Sequence, residues 1–136
     1  MIATARPIAH GQAMTNYATK DFRADIVKVN LLTEDLPPIG MWDEMVLHMN
    51  RFRQKFARKP IDKTSIRIEV SPSMNESNGW TLEDWRHFTE EFLDELDQVT
   101  KTPDDKHKNL VPTNIKNSQY FAALHYDAKS GIPHLH

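Results

Sequence analysis

Apolar residues recur at steps of three and four along 41–57: Trp42, Met45, Val46, Met49, Phe52 and Phe56. That period belongs to a helix and predicts an amphipathic one, with Pro60 beyond its end. The same period returns at Leu82, Trp85, Phe88, Phe92, Leu96 and Val99, behind Thr81 as a candidate N-cap and with Glu83 and Asp84 complementing the first-turn dipole. This predicts a second long helix to about Thr100. A period of two appears at 65–70, where Ile66, Ile68 and Val70 alternate with Ser65, Arg67 and Glu69, the pattern of a half-buried strand. Residues 2–9 alternate loosely and read as a first strand broken by His10 and Gly11. Residues 12–20 suit a helix with Ala13, Tyr17 and Ala18 near one side. Residues 25–32 carry Ile26, Val27, Val29, Leu31 and Leu32, a second strand, before a loop marked by Pro37, Pro38 and Gly40. Residues 71–79 are rich in Ser, Pro, Asn and Gly and predict a loop. Residues 102–117 form a long polar excursion with Pro103 and Pro112. A strand at 119–127, with the apolar run Tyr120 to Leu124, then a turn at 128–132, then the start of another strand at 133–136 complete the pattern.

These elements predict an α/β fold in the broad sense (α+β): a mainly antiparallel central sheet flanked by helices, in a single domain over 1–136. The last strand stops just as it begins, so the domain is expected to be incomplete at its C-terminus, a truncated domain or a proteolytic fragment.

Composition narrows the class. A chain of 136 residues is long enough for one real core, and its 26% charged and 9% aromatic content is that of an ordinary globular protein. No apolar run approaches the roughly 20 residues that cross a bilayer, so no membrane partner is expected. The first seven residues lack the features of a signal peptide. The absence of cysteine excludes disulfides and thiolate metal sites and fits a cytoplasmic protein. A formal net charge of −2 gives no support to nucleic-acid binding unless basic groups gather on one face. Arg51, Arg53, Lys55, Arg58, Lys59 and Lys63 form such a run near the end of the first long helix. They are candidate contacts for a DNA backbone, although a solvated helix face explains them slightly better.

Seven histidines is a high count, and three fall in the last twelve residues. The segment runs His125-Tyr126-Asp127, a short turn at Lys129 to Gly131, then Pro133-His134-Leu135-His136. Residues two apart on a strand share a face. His134 and His136 therefore point the same way, as do His125 and Asp127, with Tyr126 opposite. A tight turn brings His125 beside the other two, so that three imidazoles converge. Three neutral imidazoles make a divalent-metal site with open positions. Asp127 is placed to fix the tautomer of one ligand or to reach the metal through water. Surface histidines at a frayed end are the plainer account; the His-x-Asp pair and the proline favour the metal.

His-x-Asp, a short turn, then Pro-His-x-His resembles the third motif of conjugative relaxases and plasmid mobilisation proteins, nucleases of the HUH (histidine–hydrophobic–histidine) superfamily. Arg67 to Pro72 followed by Trp80 to Trp85 is similar to the family's central strand, loop and following helix. Ile8-Ala9-His10-Gly11 leading to Asn16-Tyr17 is similar to the first motif, which bears the nucleophilic tyrosine. The resemblance covers most of the chain in the right order. It implies site- and strand-specific nicking of single-stranded DNA at a transfer origin through a 5′-phosphotyrosyl intermediate, during plasmid or transposon mobilisation. It implies Tyr17 as nucleophile, His125, His134 and His136 as ligands of a divalent ion, Mg²⁺ or Mn²⁺, and accessory mobilisation proteins and a conjugative coupling protein as partners. Oxygen-loving Mg²⁺ suits three imidazoles less well than Mn²⁺ or another transition ion. A tyrosine hydroxyl with a pKa near 10 needs a base or a cation close by, and Asp127 and His10 are equal candidates. Tyr17 as a half-buried aromatic on a short helix is the plainer alternative. Tyr120 reads as core, His48 and His87 as structural, and His107 carries no signal. Rival readings are a metal- and DNA-binding module without catalysis, a replication-initiator or transposase relative, which places its tyrosine after the histidine pair, and a metal-dependent hydrolase of small phosphoesters.

Overall fold

The alternating segments pair into one five-stranded antiparallel sheet in the order β1-β3-β5-β4-β2. The computed structural model describes residues 1–9, 11–20, 23–31, 38–59, 63–101 and 112–136. His10, Leu32, Pro37, Pro60, Pro103 and His107, with most of the predicted polar excursion, lie outside them. In chain order the elements are β1 (Ile2–Ile8), α1 (Gly11–Thr19), β2 (Asp25–Asn30), α2 (Pro38–Lys55), β3 (Ser65–Ser71), α3 (Met74–Ser77), α4 (Leu82–Lys101), a 3₁₀ turn (Ile115–Asn117), β4 (Tyr120–His125) and β5 (His134–Leu135). The histidine-bearing strands β4 and β5 are neighbours, with β5 in the middle of the sheet.

One face of the sheet is apolar. Val27, Val70, Ala122, Leu124 and Leu135 are buried there, with Ile68 partly so, against Trp85, Phe88 and Phe92 of α4 and against Trp80 before it. The α4 helix begins where its sequence says it should. The Thr81 hydroxyl accepts from the Asp84 amide at 3.3 Å, and the Asp84 carboxylate accepts from the Thr81 amide at 2.7 Å, so two backbone donors at the helix start are satisfied reciprocally. At the other end the buried Asp97 carboxylate accepts from the amides of Ile115 and Lys116, at 2.8 and 3.1 Å. That ties the chain entering β4 back onto the helix.

Four local expectations need correction. The buried stripe of α4 is narrower than a count of apolar residues suggests: Leu93, Thr89 and Asp97 are buried while Leu82 and Val99 are exposed. The α2 helix starts at Pro38, not after the proline pair. A first-turn proline lacks only an N–H that has no helical partner anyway. Phe52 and Phe56, expected on the buried face of α2, are both exposed. The 71–79 loop contains a turn of helix, α3, capped by Ser73 and Glu76.

On the opposite face α1 meets β4, and α2 packs on α1. The α1–α2 contact depends on Gly11: a Cβ there would overlap the Trp42 indole, whose Nε1 donates to Ser65 Oγ at 2.9 Å.

Candidate metal centre

Leu124 pairs with Leu135 and His125 with His134 across the β4–β5 ladder. Because successive side chains alternate in a strand, burying Leu124 and Leu135 on the α4 side commits His125, His134 and His136 to the other side. Gly131, at φ 70, forms the turn that closes the two strands. The backbone of His136 exchanges both hydrogen bonds with Ala123 at 2.8 Å, which extends the ladder past β5 and fixes the third imidazole.

One ring nitrogen from each of His125, His134 and His136 lies within 4.8 Å of the other two, a group that can hold a metal ion. Ring centroids are 4.3 Å apart for His125–His136, 4.9 Å for His134–His136 and 5.4 Å for His125–His134. The tautomers follow from their partners. His125 Nε2 lies 2.6 Å from the Ala18 carbonyl, which can only accept. Nε2 therefore carries the proton, and Nδ1 keeps its lone pair. His134 Nδ1 meets the Ile132 carbonyl at 3.3 Å, which leaves Nε2 as its free nitrogen. The His136 side chain is 2% exposed, yet neither ring nitrogen has a hydrogen bond. Glu69 Oε1 lies 3.3 Å from its Nδ1, within ion-pair reach but misaligned for a hydrogen bond. A buried imidazole with two unused nitrogens is costly on its own, by about 1–3 kcal/mol per group. A cation at the centre of the cluster would engage one of the two nitrogens and remove that part of the cost, so the donor set fits a metal.

Burial pushes the His136 pKa down from 6.5 to about 3, helped by the nearby charges of His125, His134, Arg67 and Lys20. Burial also lowers His125, against the opposing hydrogen bond to Ala18. Both imidazoles are neutral near pH 7, the form that binds metal. The unfolded chain takes up these protons near pH 6.5, but folded His136 does so only near pH 3. Acid between those values therefore favours unfolding, and the stability contributed by the neutral rings is lost as pH falls through that window. Urea titrations of the metal-free protein from about pH 8 to about pH 4 are expected to show a steeper decline for wild type than for His136→Gln. Equal declines would mean that His136 is solvated.

Tyr17 leaves α1 with its ring 5.5 Å from that of His125 and 5.3 Å from that of His136, edge-on to both. The residue is 53% exposed. The Arg67 guanidinium sits 5.8 Å above the ring and is ion-paired with Glu69. Asp127 lies elsewhere than alternation implies, because β4 ends at His125. Its carboxylate pairs with Lys20, which holds its pKa below the usual range, and the Ala18 carbonyl holds the His125 ring in its stead. Lys20 reaches Asp127 from the left-handed residue that ends α1, at φ 49. Among the basic candidates, Arg51, Lys55, Arg58 and Lys59 are exposed at the end of α2, while Arg53 Nε donates to the Lys59 carbonyl at 2.7 Å. His48 and His87 pair with Glu44 and Glu91 on their own helices. Tyr126 is exposed and Tyr120 half-buried.

Arg67 and Glu69 were not singled out in the sequence as site residues. Their one signal was the polar side of the alternating β3, which the sheet order turns toward the histidines. Among the described residues no helix is long and apolar enough to cross a membrane. No known protein family, curated protein or solved structure matches this chain, so the convergence of His125, His134, His136 and Tyr17 is what a functional reading stands on.

Proposed function

We propose that this chain is the nuclease region of a relaxase-type enzyme, which cuts one DNA strand by transesterification and stays joined to the 5′ end through Tyr17. The observation that carries the reading is an exposed tyrosine ring within 5.5 Å of two of three histidines whose nitrogens converge. The resemblance in motif order supports it and supplies the expected substrate, single-stranded DNA at a transfer origin.

The Tyr17 hydroxyl attacks phosphorus, the bond to the 3′ oxygen breaks, and the 3′ hydroxyl leaves with a proton. One phosphoester replaces another, so the step reverses without an energy source. The Arg67 guanidinium, 5.8 Å from the centre of the Tyr17 ring, adds a positive charge beside the attacked phosphate. The phenolic proton needs an acceptor. Asp127, held low by Lys20, is a weak one, and Glu69, 3.3 Å from His136 Nδ1, is the other candidate carboxylate. A divalent ion bound by His125, His134 and His136 would offset charge on a non-bridging phosphate oxygen. An all-imidazole donor set suits Mn²⁺ or a later transition ion better than Mg²⁺.

The test is incubation with Mn²⁺ and a panel of single-stranded transfer-origin oligonucleotides labelled at the 3′ end, read on a denaturing gel. Wild type is expected to give a slowly migrating covalent adduct that chelator abolishes. Tyr17→Phe, which keeps the ring and removes only the hydroxyl, is expected to give none. Cleaved strands without an adduct would instead identify a metal-dependent hydrolase. An undiminished adduct in Tyr17→Phe would place the nucleophile elsewhere.

A further inference from the structure

At the C-terminal end of α2 the sequence runs Arg51-Phe52-Arg53-Gln54-Lys55-Phe56-Ala57-Arg58-Lys59: five cations and no acid, in a chain whose net charge is −2. Its two phenylalanines are 64% and 60% exposed. Apolar rings so open to water are unexpected on a helix whose partner is α1. Their rings lie against each other with centroids 5.1 Å apart, so they present one aromatic surface. That surface is built rather than frayed. Ala57 adopts the left-handed conformation, at φ 49. The Arg58 amide bonds back to the Arg53 carbonyl at 3.2 Å, and the Arg53 guanidinium clamps the Lys59 carbonyl. Met49, Phe52, Arg53, Phe56 and Arg58 together line an open hollow.

We infer that this hollow is a binding platform for single-stranded nucleic acid, with unpaired bases stacking on Phe52 and Phe56 and the phosphates lying along Arg51, Lys55, Arg58 and Lys59. Flat apolar rings interleaved with cations match the two surfaces that a single strand presents at every nucleotide, the base face and the phosphate. Arg58 shares the hollow with the rings, and a guanidinium can itself stack on a base. A duplex hides its bases and could use only the charges. An anionic bilayer favours a wide apolar face, and here two rings stand among five cations. The platform needs no metal and no Tyr17, so it stands or falls apart from the nicking reading.

The experiment measures binding of a fluorescent oligothymidylate of about 20 nucleotides, of the matching duplex and of phosphatidylserine vesicles, in chelator so that no cutting occurs. Wild type is expected to prefer the single strand. Phe52→Ala and Phe56→Ala are each expected to weaken single-strand binding about tenfold or more while leaving the weak duplex binding unchanged. Phe52→Trp, which keeps a stacking face, is expected to restore it. Arg58→Ala is expected to weaken both and to flatten the salt dependence. Both rings are exposed, so the melting temperature is expected to hold in every variant. Equal affinity for single strand and duplex, or alanine variants that bind the single strand normally, would overturn the platform. So would alanine variants that lose vesicle binding alone. A protein that binds the single strand through Phe52 yet never forms an adduct keeps the platform and loses the nicking reading.

Discussion

His136→Ala is expected to lose at least about 100-fold in affinity for Mn²⁺ or Co²⁺, measured by calorimetry and by the visible absorption of bound Co²⁺. Losing a residue that merely supports a ligand already costs about 10–100-fold in metal sites, and His136 sits within 4.9 Å of both other imidazoles. Its ring is sequestered with neither nitrogen hydrogen-bonded. No proton competes for it near neutral pH, since burial holds its pKa at about 3. His125→Ala is expected to match the loss, because its Nδ1 is left free by the Ala18 carbonyl. His48→Ala is the control, since that ring pairs with Glu44 on α2. Metal is also expected to stabilise wild type against heat, by about 2.7 kcal/mol at a free concentration of 100 Kd, and to leave His136→Ala unmoved. An undiminished affinity in His136→Ala would put the ion elsewhere.

The cluster was legible in the sequence because each step is local. A strand alternates, a short turn with Gly131 reverses it, and a hairpin sets His125 opposite His134. The antiparallel sheet and the long α4 were legible for the same reason. What surrounds the histidines was not, because it comes from strands and helices far apart in the chain. Arg67 and Glu69 reach the cluster only because β3 pairs with β5, and a polar face on an alternating strand looks the same whether water or a histidine lies beyond it. The turn of α1 that brings the Ala18 carbonyl to His125 is likewise a packing outcome. Periodicity also overreached where it marks a stripe but not what the stripe meets. Leu82 and Val99 fit the helical count, yet the packed ridge runs through Trp85, Thr89 and Leu93. Phe52 and Phe56 fit it equally well and face water.

Trp85→Ala is expected to cost about 3–5 kcal/mol in urea unfolding, a large part of the roughly 5–15 kcal/mol that holds a domain together. Trp85 is the largest fully buried side chain and packs with Val70, Leu124 and Leu135, one residue from each of the three strands around the site. Its ring also meets Trp80 at 4.8 Å and Phe88 at 5.9 Å, both near perpendicular, an arrangement that adds about 0.5–1.5 kcal/mol per pair. The effect should reach the other face of the sheet. Leu124 and Leu135 point down to Trp85, and His125 and His134 point up from the next positions on the same strands. A cavity under the leucines therefore loosens the register that makes the imidazoles converge. Metal affinity in Trp85→Ala is expected to fall with stability although no ligand is touched. Trp85→Phe, which refills most of the space, is expected to recover most of both. If Trp85→Ala unfolds early but binds metal as tightly as wild type while folded, the histidine geometry is set by the hairpin alone and not by the core beneath it.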